Sequence, residues 1–179
     1  TTQSFVPVRE RMTVPLGRVT AVFEPGHLFY PWHQFALSAI GRSIDERPIY
    51  FASTTNAQAE LGIRENLVRQ GLAFRLHNVD LADDPERYIP MSPSPYSQVI
   101  GDWVDLPRTR TLAWEVFEHQ GGIPDEWSHW PDRPSIGIPN YYSWTFYALT
   151  QVAAQLGDEA AMERNQERAE AWGVLGASN

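Results

Sequence analysis

Apolar positions change their spacing several times along the chain, and each change predicts an element. Between Arg18 and Phe23, Val19 and Val22 mark a short strand. Pro25-Gly26 signals a turn. From Pro31 to Ile44 the spacing becomes helical: Phe35, Ala39 and Ile40 fall at i, i+4 and i+5, and Leu37 and Ile44 widen the stripe. The charged run Asp45-Glu46-Arg47-Pro48 ends it. Ile49 to Ser53 is a short apolar run of the kind that forms a buried strand.

Thr54-Thr55-Asn56 supplies N-cap residues, and Thr55 followed by Gln58 reads as a capping box. A helix from about Ala57 to Gln70 would put Ala57, Leu61 and Val68 on one face, with Ile63 and Leu67 beside them and Gly71 as C′. Leu72 to Val79 alternates, with Leu72, Phe74 and Leu76 facing one way and Ala73, Arg75 and His77 the other. Residues 48 to 79 therefore read as strand, helix, strand, which predicts a βαβ unit with parallel strands.

Ala82 to Pro95 holds four prolines and reads as a loop. Asp105 with Pro107 predicts a helix running to about His119, closed by Gly121-Gly122. Ile123 to Pro139 reads as an ordered, aromatic, proline-rich loop. Two helices follow, Tyr141 to Leu156 and Glu159 to Trp172, joined by Gly157-Asp158. Trp144, Ala148, Val152 and Leu156 stripe the first, widened by Tyr141 and Leu149. Met162, Ala169 and Trp172 are the expected contacts of the second. The fold class is therefore α/β: a sheet domain with long ordered loops over residues 1–139, then a helical hairpin over 140–179 packed on it.

A chain of 179 residues with 42% hydrophobic residues is long and apolar enough to bury a real core. The net charge of −8 argues against a nucleic-acid partner. All 14 basic residues are arginine, a pattern read as genome composition. Cysteine is absent, which excludes disulfides, thiolate metal sites and a thiol nucleophile, but does not fix the compartment; many bacterial extracytoplasmic domains lack it too. No stretch approaches the roughly 18–20 apolar residues that cross a bilayer.

Candidate chemistry is sparse. Histidines stand at 27, 33, 77, 119 and 129, with no HxH, HxxxH or HExxH spacing. His27 and His33 are six apart across a proline and share no helix face, so all five read as surface or hydrogen-bonded residues, and no metal or cofactor is expected. GxSxG, SxxK and glycine-rich phosphate loops do not occur, so no catalytic residue is assigned. The turn Ser53 to Asn56 lacks the glycines a phosphate needs and reads as a plain helix cap. The most suggestive run is Asp125 to Arg133. Its tryptophans and acids are the materials of a sugar site, with rings stacking on a sugar face and carboxylates accepting hydroxyl hydrogens. Asp125, Trp127, Trp130 and Asp132 are the candidate glycan- or partner-binding residues. The competing reading is that the tryptophans pin the loop to a core.

Three strings stand out together: Glu46-Arg47-Pro48-Ile49-Tyr50-Phe51-Ala52-Ser53-Thr54, Leu61-Gly62-Ile63-Arg64-Glu65-Asn66-Leu67, and Arg69-Gln70-Gly71-Leu72-Ala73-Phe74-Arg75-Leu76. They resemble the soluble C-terminal domain of a family of multi-pass membrane proteins of unknown function, related to the transmembrane protein O-mannosyltransferases. Looser similarity includes Phe117 to Ile123, Trp130-Pro131-Asp132, and the closing helices around Leu156 to Met162, which look like the family's tetratricopeptide-like end. Gln70 stands where the family has Glu. The resemblance covers roughly residues 33 to 172.

That resemblance implies a glycosyltransferase-C-like parent whose membrane helices and catalytic acid lie outside this chain. The expected role is a non-catalytic domain at the extracytoplasmic face of a membrane. It would dock on its own membrane-embedded core, or recognise a protein acceptor or a glycan. The alternatives are a self-contained carbohydrate-active enzyme using Asp125, Glu126 or Asp132, and a purely structural assembly module.

Overall fold

The protein is described by a computed structural model covering residues 5–55, 60–117, 119 and 122–177. Two antiparallel ribbons open it. β1 (Val6–Pro7) pairs with β4 (Leu28–Phe29), and β2 (Met12–Leu16) with β3 (Val19–Phe23), the strand expected at 18–23. Gly17, at φ 68°, makes the two-residue turn between β2 and β3.

Helix α1 (Pro31–Ser43) forms where the spacing placed it, with Pro31 in its first turn, where a missing N–H costs nothing. The face it buries differs from the expected one. His33, Leu37, Ile40 and Ile44 point inward, a run of i, i+4, i+7 and i+11, while Phe35 is 78% exposed. The inner stripe meets Ala21 and Phe23 of β3 and Leu61, Ile63, Leu67 and Phe74 in one core cluster. Each fully buried leucine, isoleucine or phenylalanine there is worth about 1.5–3 kcal/mol relative to exposure.

The main sheet has five strands, β5 (Ile49–Ala52), β6 (Leu67–Gln70), β7 (Ala73–Leu76), β8 (Tyr88–Pro90) and β9 (Trp103–Asp105), in the order β5-β7-β6-β9-β8. The α/β class stands. The parallel βαβ crossover over residues 48–79 does not. β5 and β7 are antiparallel, and β6 and β7 are neighbours in a tight hairpin. From Leu61 on, the expected helix to Gln70 is a short 3-10 turn (Arg64–Asn66) followed by β6; its start at 56–59, with the Gln58 half of the capping box, lies outside the described residues.

Two glycines explain that correction. Gly62 adopts φ 64° against the backbone of Val22, and Gly71 adopts φ 62° as the turn residue between β6 and β7 rather than as a helix C′. β6 is also central, so Leu67 and Val68 are buried against opposite layers. A strand covered on both faces loses the alternation that announces it. Among the described residues, β6 pairs with β9 in parallel and the other neighbours in this sheet are antiparallel.

β8 lies inside the stretch read as a loop, with Pro90 on a sheet edge, where proline is tolerated. After α2 (Ser97–Ile100) and β9 comes α3 (Leu106–Thr111). Asp105 caps it by accepting from Arg108 N–H at 3.2 Å, as the Asp-x-Pro pattern implied. A π turn over Leu112–Val116 extends it, ending two to three residues before the expected end at His119.

The C-terminal hairpin forms as expected, from α4 (Gly137–Leu156) and α5 (Glu159–Ala177), so it begins three residues before 140. Gly157 turns left-handed at φ 71° and Asp158 accepts from Ala161 N–H at 3.0 Å. Ala148 and Val152, with half-buried Trp144, pack on Ile89, Ile100 and Val104 of the sheet layer, whereas Leu156 is exposed. Phe146 and Leu149 pack with Ala169, Trp172 and Leu175 of α5 and Ala113 of the π turn.

Arg69 of β6 joins these layers and is fully buried. It donates to Ile100 O at 2.7 Å, Gly71 O at 2.9 Å, Thr145 Oγ1 at 3.3 Å and Val99 O, and its guanidinium lies 4.7 Å from the Phe74 ring centroid. Burial pushes its pKa down to about 9, so it remains a cation at neutral pH. Beside it, buried Asp105 accepts from Gln70 at 2.8 Å and from Arg87 at 2.9 Å.

Candidate functional site

The loop singled out in the sequence lies against the helical hairpin. Trp127 and Trp130 are half-buried and pack on the cluster of Phe146, Leu149, Ala169 and Trp172. Their centroids are 5.8 Å apart, with ring planes at 44°. Trp130 N–H donates to Ser135 Oγ at 2.9 Å, and Ser135 donates in turn to the Asp132 carboxylate. Both oxygens of Asp125 accept from Arg168 of α5, at 2.6 and 2.9 Å. The four candidate residues are thus brought onto one loop, but both carboxylates already serve to fasten it. A sugar at Asp125 or Asp132 would first have to displace Arg168 or Ser135.

A second surface was not legible in the sequence. Several large apolar side chains are exposed along the N-terminal ribbon and the start of α1: Phe5, Val6 and Leu28, the last two on opposite faces of the ribbon, and Trp32 and Phe35 three residues apart on α1. Val6 sits opposite Phe29 across the β1–β4 ribbon, and the Phe5 ring is 5.7 Å from that of Tyr30. The pattern follows from α1. Once His33 takes an inward position, Trp32 and Phe35 must face out. Counting His33 as an apolar position would have given the right stripe.

Under that face lies a third arrangement, of side chains the sequence kept apart. His27 comes from the turn between β3 and β4, His33 from the first turn of α1, and Glu60 from the segment after β5. One potential ligand atom from each falls within 4.8 Å of the others. The separation of six residues hid this, because the β4 turn and Pro31 fold the chain back on itself. The imidazoles sit among aromatic rings, with Trp32 3.7 Å and Phe29 5.2 Å from His33 and Phe23 5.0 Å from His27.

Tyr30 N–H donates to His33 Nδ1 at 2.8 Å, and His33 Nε2 stands 3.5 Å from Glu60 Oε2. Burial lowers the His33 pKa, with His27 adding to the effect, against the opposing pull of Glu60 and Tyr30. Nε2 of His27 and Nε2 of His33 are both enclosed with no hydrogen-bond partner. His129 is exposed and bonds Ser128. His77 is buried against Tyr88, and its pKa falls to about 4, chiefly through burial.

Among the described residues no helix is long and apolar enough to cross a membrane. No protein-family model, curated protein or solved structure matches this chain.

Proposed function

We propose that the chain is a non-catalytic, extracytoplasmic domain of a membrane protein resembling a protein glycosyltransferase, and that it docks on the membrane-embedded core of that protein. The observation that carries this reading is the outward side of α1, where Trp32 and Phe35, at i and i+3, are 46% and 78% exposed. Large aromatic side chains left side by side in solvent suit a contact surface. Tryptophan and phenylalanine are also the side chains that suit a contact near a bilayer surface. The partner's identity rests on the resemblance of residues 46–76 alone. Recognition of a protein acceptor or a glycan through Trp127 and Trp130 is the lesser part of the reading, since Asp125 and Asp132 are engaged within the loop.

Because the chain has no cysteine, Phe35→Cys introduces a single thiol into the domain. Docking predicts that a polar maleimide labels it at least about tenfold more slowly in the membrane-held parent than in the separate chain. A Val174→Cys variant on α5, at a site 62% exposed, should label at similar rates in both. Equal protection ratios at the two positions would remove the docking role from this face.

A further inference from the structure

We infer that His27, His33 and Glu60 form a binding site for a first-row divalent cation, zinc before others. The site does not depend on the docking role. Its donors come from three separate segments, so a bound ion would tie the β3–β4 turn and α1 to the stretch that leads into Leu61.

The geometry is close to what an ion needs. Donors around a tetrahedral zinc, with bonds of about 2.0–2.2 Å, stand roughly 3.3–3.5 Å apart. His33 Nε2 and Glu60 Oε2 are already 3.5 Å apart. The widest separation in the set is 4.8 Å, which side-chain movement of roughly 1–1.5 Å closes to a zinc shell. His33 and Glu60 are already in place, so the movement falls to His27, which is only half-buried.

The chemistry points the same way. His33 is fully buried, its Nε2 faces the Glu60 carboxylate at 3.5 Å without a hydrogen bond of normal geometry, and His27 Nε2 is enclosed with no partner. Buried polar atoms are partnered in the great majority of cases, so two such nitrogens converging on a carboxylate call for an occupant. Two imidazoles and one carboxylate are the donors of three-ligand zinc sites, in which water completes the shell. His27 borders an open cleft of about 580 Å³ that also reaches Arg64 and Asp102, which gives an ion a route from solvent.

One hydrogen bond opposes binding. Tyr30 N–H donates to His33 Nδ1, which leaves the ring proton on Nε2, the atom that must ligate. Ligation therefore moves that proton from Nε2 to Nδ1, with none gained or lost, and breaks the Tyr30 bond. The ring then holds the tautomer usual for a ligating histidine, with its second nitrogen as a donor. Loss of one neutral hydrogen bond weakens binding by about tenfold, which a three-donor site tolerates.

The test is titration of the chain with Zn²⁺ alone, in competition with a chromophoric chelator. One ion should bind per chain with Kd of about 10 µM or tighter. His27→Gln and Glu60→Gln should each weaken it at least about tenfold. His129→Gln should leave it unchanged, and millimolar Mg²⁺ should not compete, because it prefers oxygen donors. Nitrogen-15 spectra should show the Tyr30 amide and the His33 ring nitrogens moving at saturation. No saturable site, or equal affinity in the His27→Gln and Glu60→Gln variants, would overturn the inference and leave a bridging water as the occupant.

Discussion

Replacing Arg69 by methionine tests how the layers are joined. The change keeps an unbranched stem, ends two atoms short of the guanidinium nitrogens and removes four donated hydrogen bonds. Gly71 O keeps the Thr145 hydroxyl within reach at 3.1 Å, shared with Tyr141 O at 3.0 Å. Ile100 O and Val99 O lose the Arg69 donor. An orphaned buried carbonyl costs about 1–3 kcal/mol, so two cost about 2–6 kcal/mol. Relief from burying a cation offsets part of this, and replacing buried charge with an apolar side chain can return about 1–4 kcal/mol. The carbonyls that solvate Arg69 stay in place after the substitution, so the loss wins, at about 1.5 kcal/mol net. For a chain of this size that corresponds to a fall in Tm of about 3–6 °C. Urea unfolding followed by tryptophan fluorescence measures it, with exposed Arg42→Met as the control, expected within about 0.5 kcal/mol of the parent. A loss under about 1 kcal/mol at Arg69 would show that the buried charge costs as much as its hydrogen bonds return.

His77 predicts a pH dependence. Its folded pKa of about 4 lies below its ordinary 6.5, so the unfolded chain binds the proton more tightly. The stability it contributes is complete above pH 6.5 and is lost as pH falls toward 4. Arg75 and Arg87 oppose its protonation, and Asp105 favours it. Between pH 7 and 4.5, His77→Phe should flatten the decline in unfolding free energy by about 2 kcal/mol; an unchanged slope would refute this. Gly62→Ala should destabilise by at least about 2 kcal/mol, because φ is 64° and a Cβ would press on Val22, 2.9 Å from its carbonyl carbon. A neutral result in thermal unfolding would mean that the Gly62–Val22 contact yields easily.

Local signals explain which elements the sequence disclosed. Proline in the first turn and a clear stop located α1, Asp105 with Pro107 located α3, and Gly157-Asp158 located the hairpin turn. Each is settled within a few residues of itself. Residues 61–70 do not announce their strand, because β6 is buried on both faces and because Gly62 and Gly71 take positive φ for reasons of tertiary approach and a hairpin turn. β8 and β9 are three residues each, too short to show a period. Of the candidate loop, the residue types were legible but their partners were not: Arg168 lies 43 residues from Asp125. The His27–His33–Glu60 cluster needed the chain reversal at β4, and no spacing rule encodes that.

Reassembly in trans tests the docking role most directly. Membranes carrying the parent protein without this domain would be mixed with the separate chain, and the bound fraction measured by sedimentation across a concentration series. Docking through the N-terminal face predicts saturable binding, weakened at least about tenfold in a Trp32→Ser/Phe35→Ser double variant whose thermal unfolding matches the parent's. Binding that ignores the double substitution, or no binding at all, would contradict it.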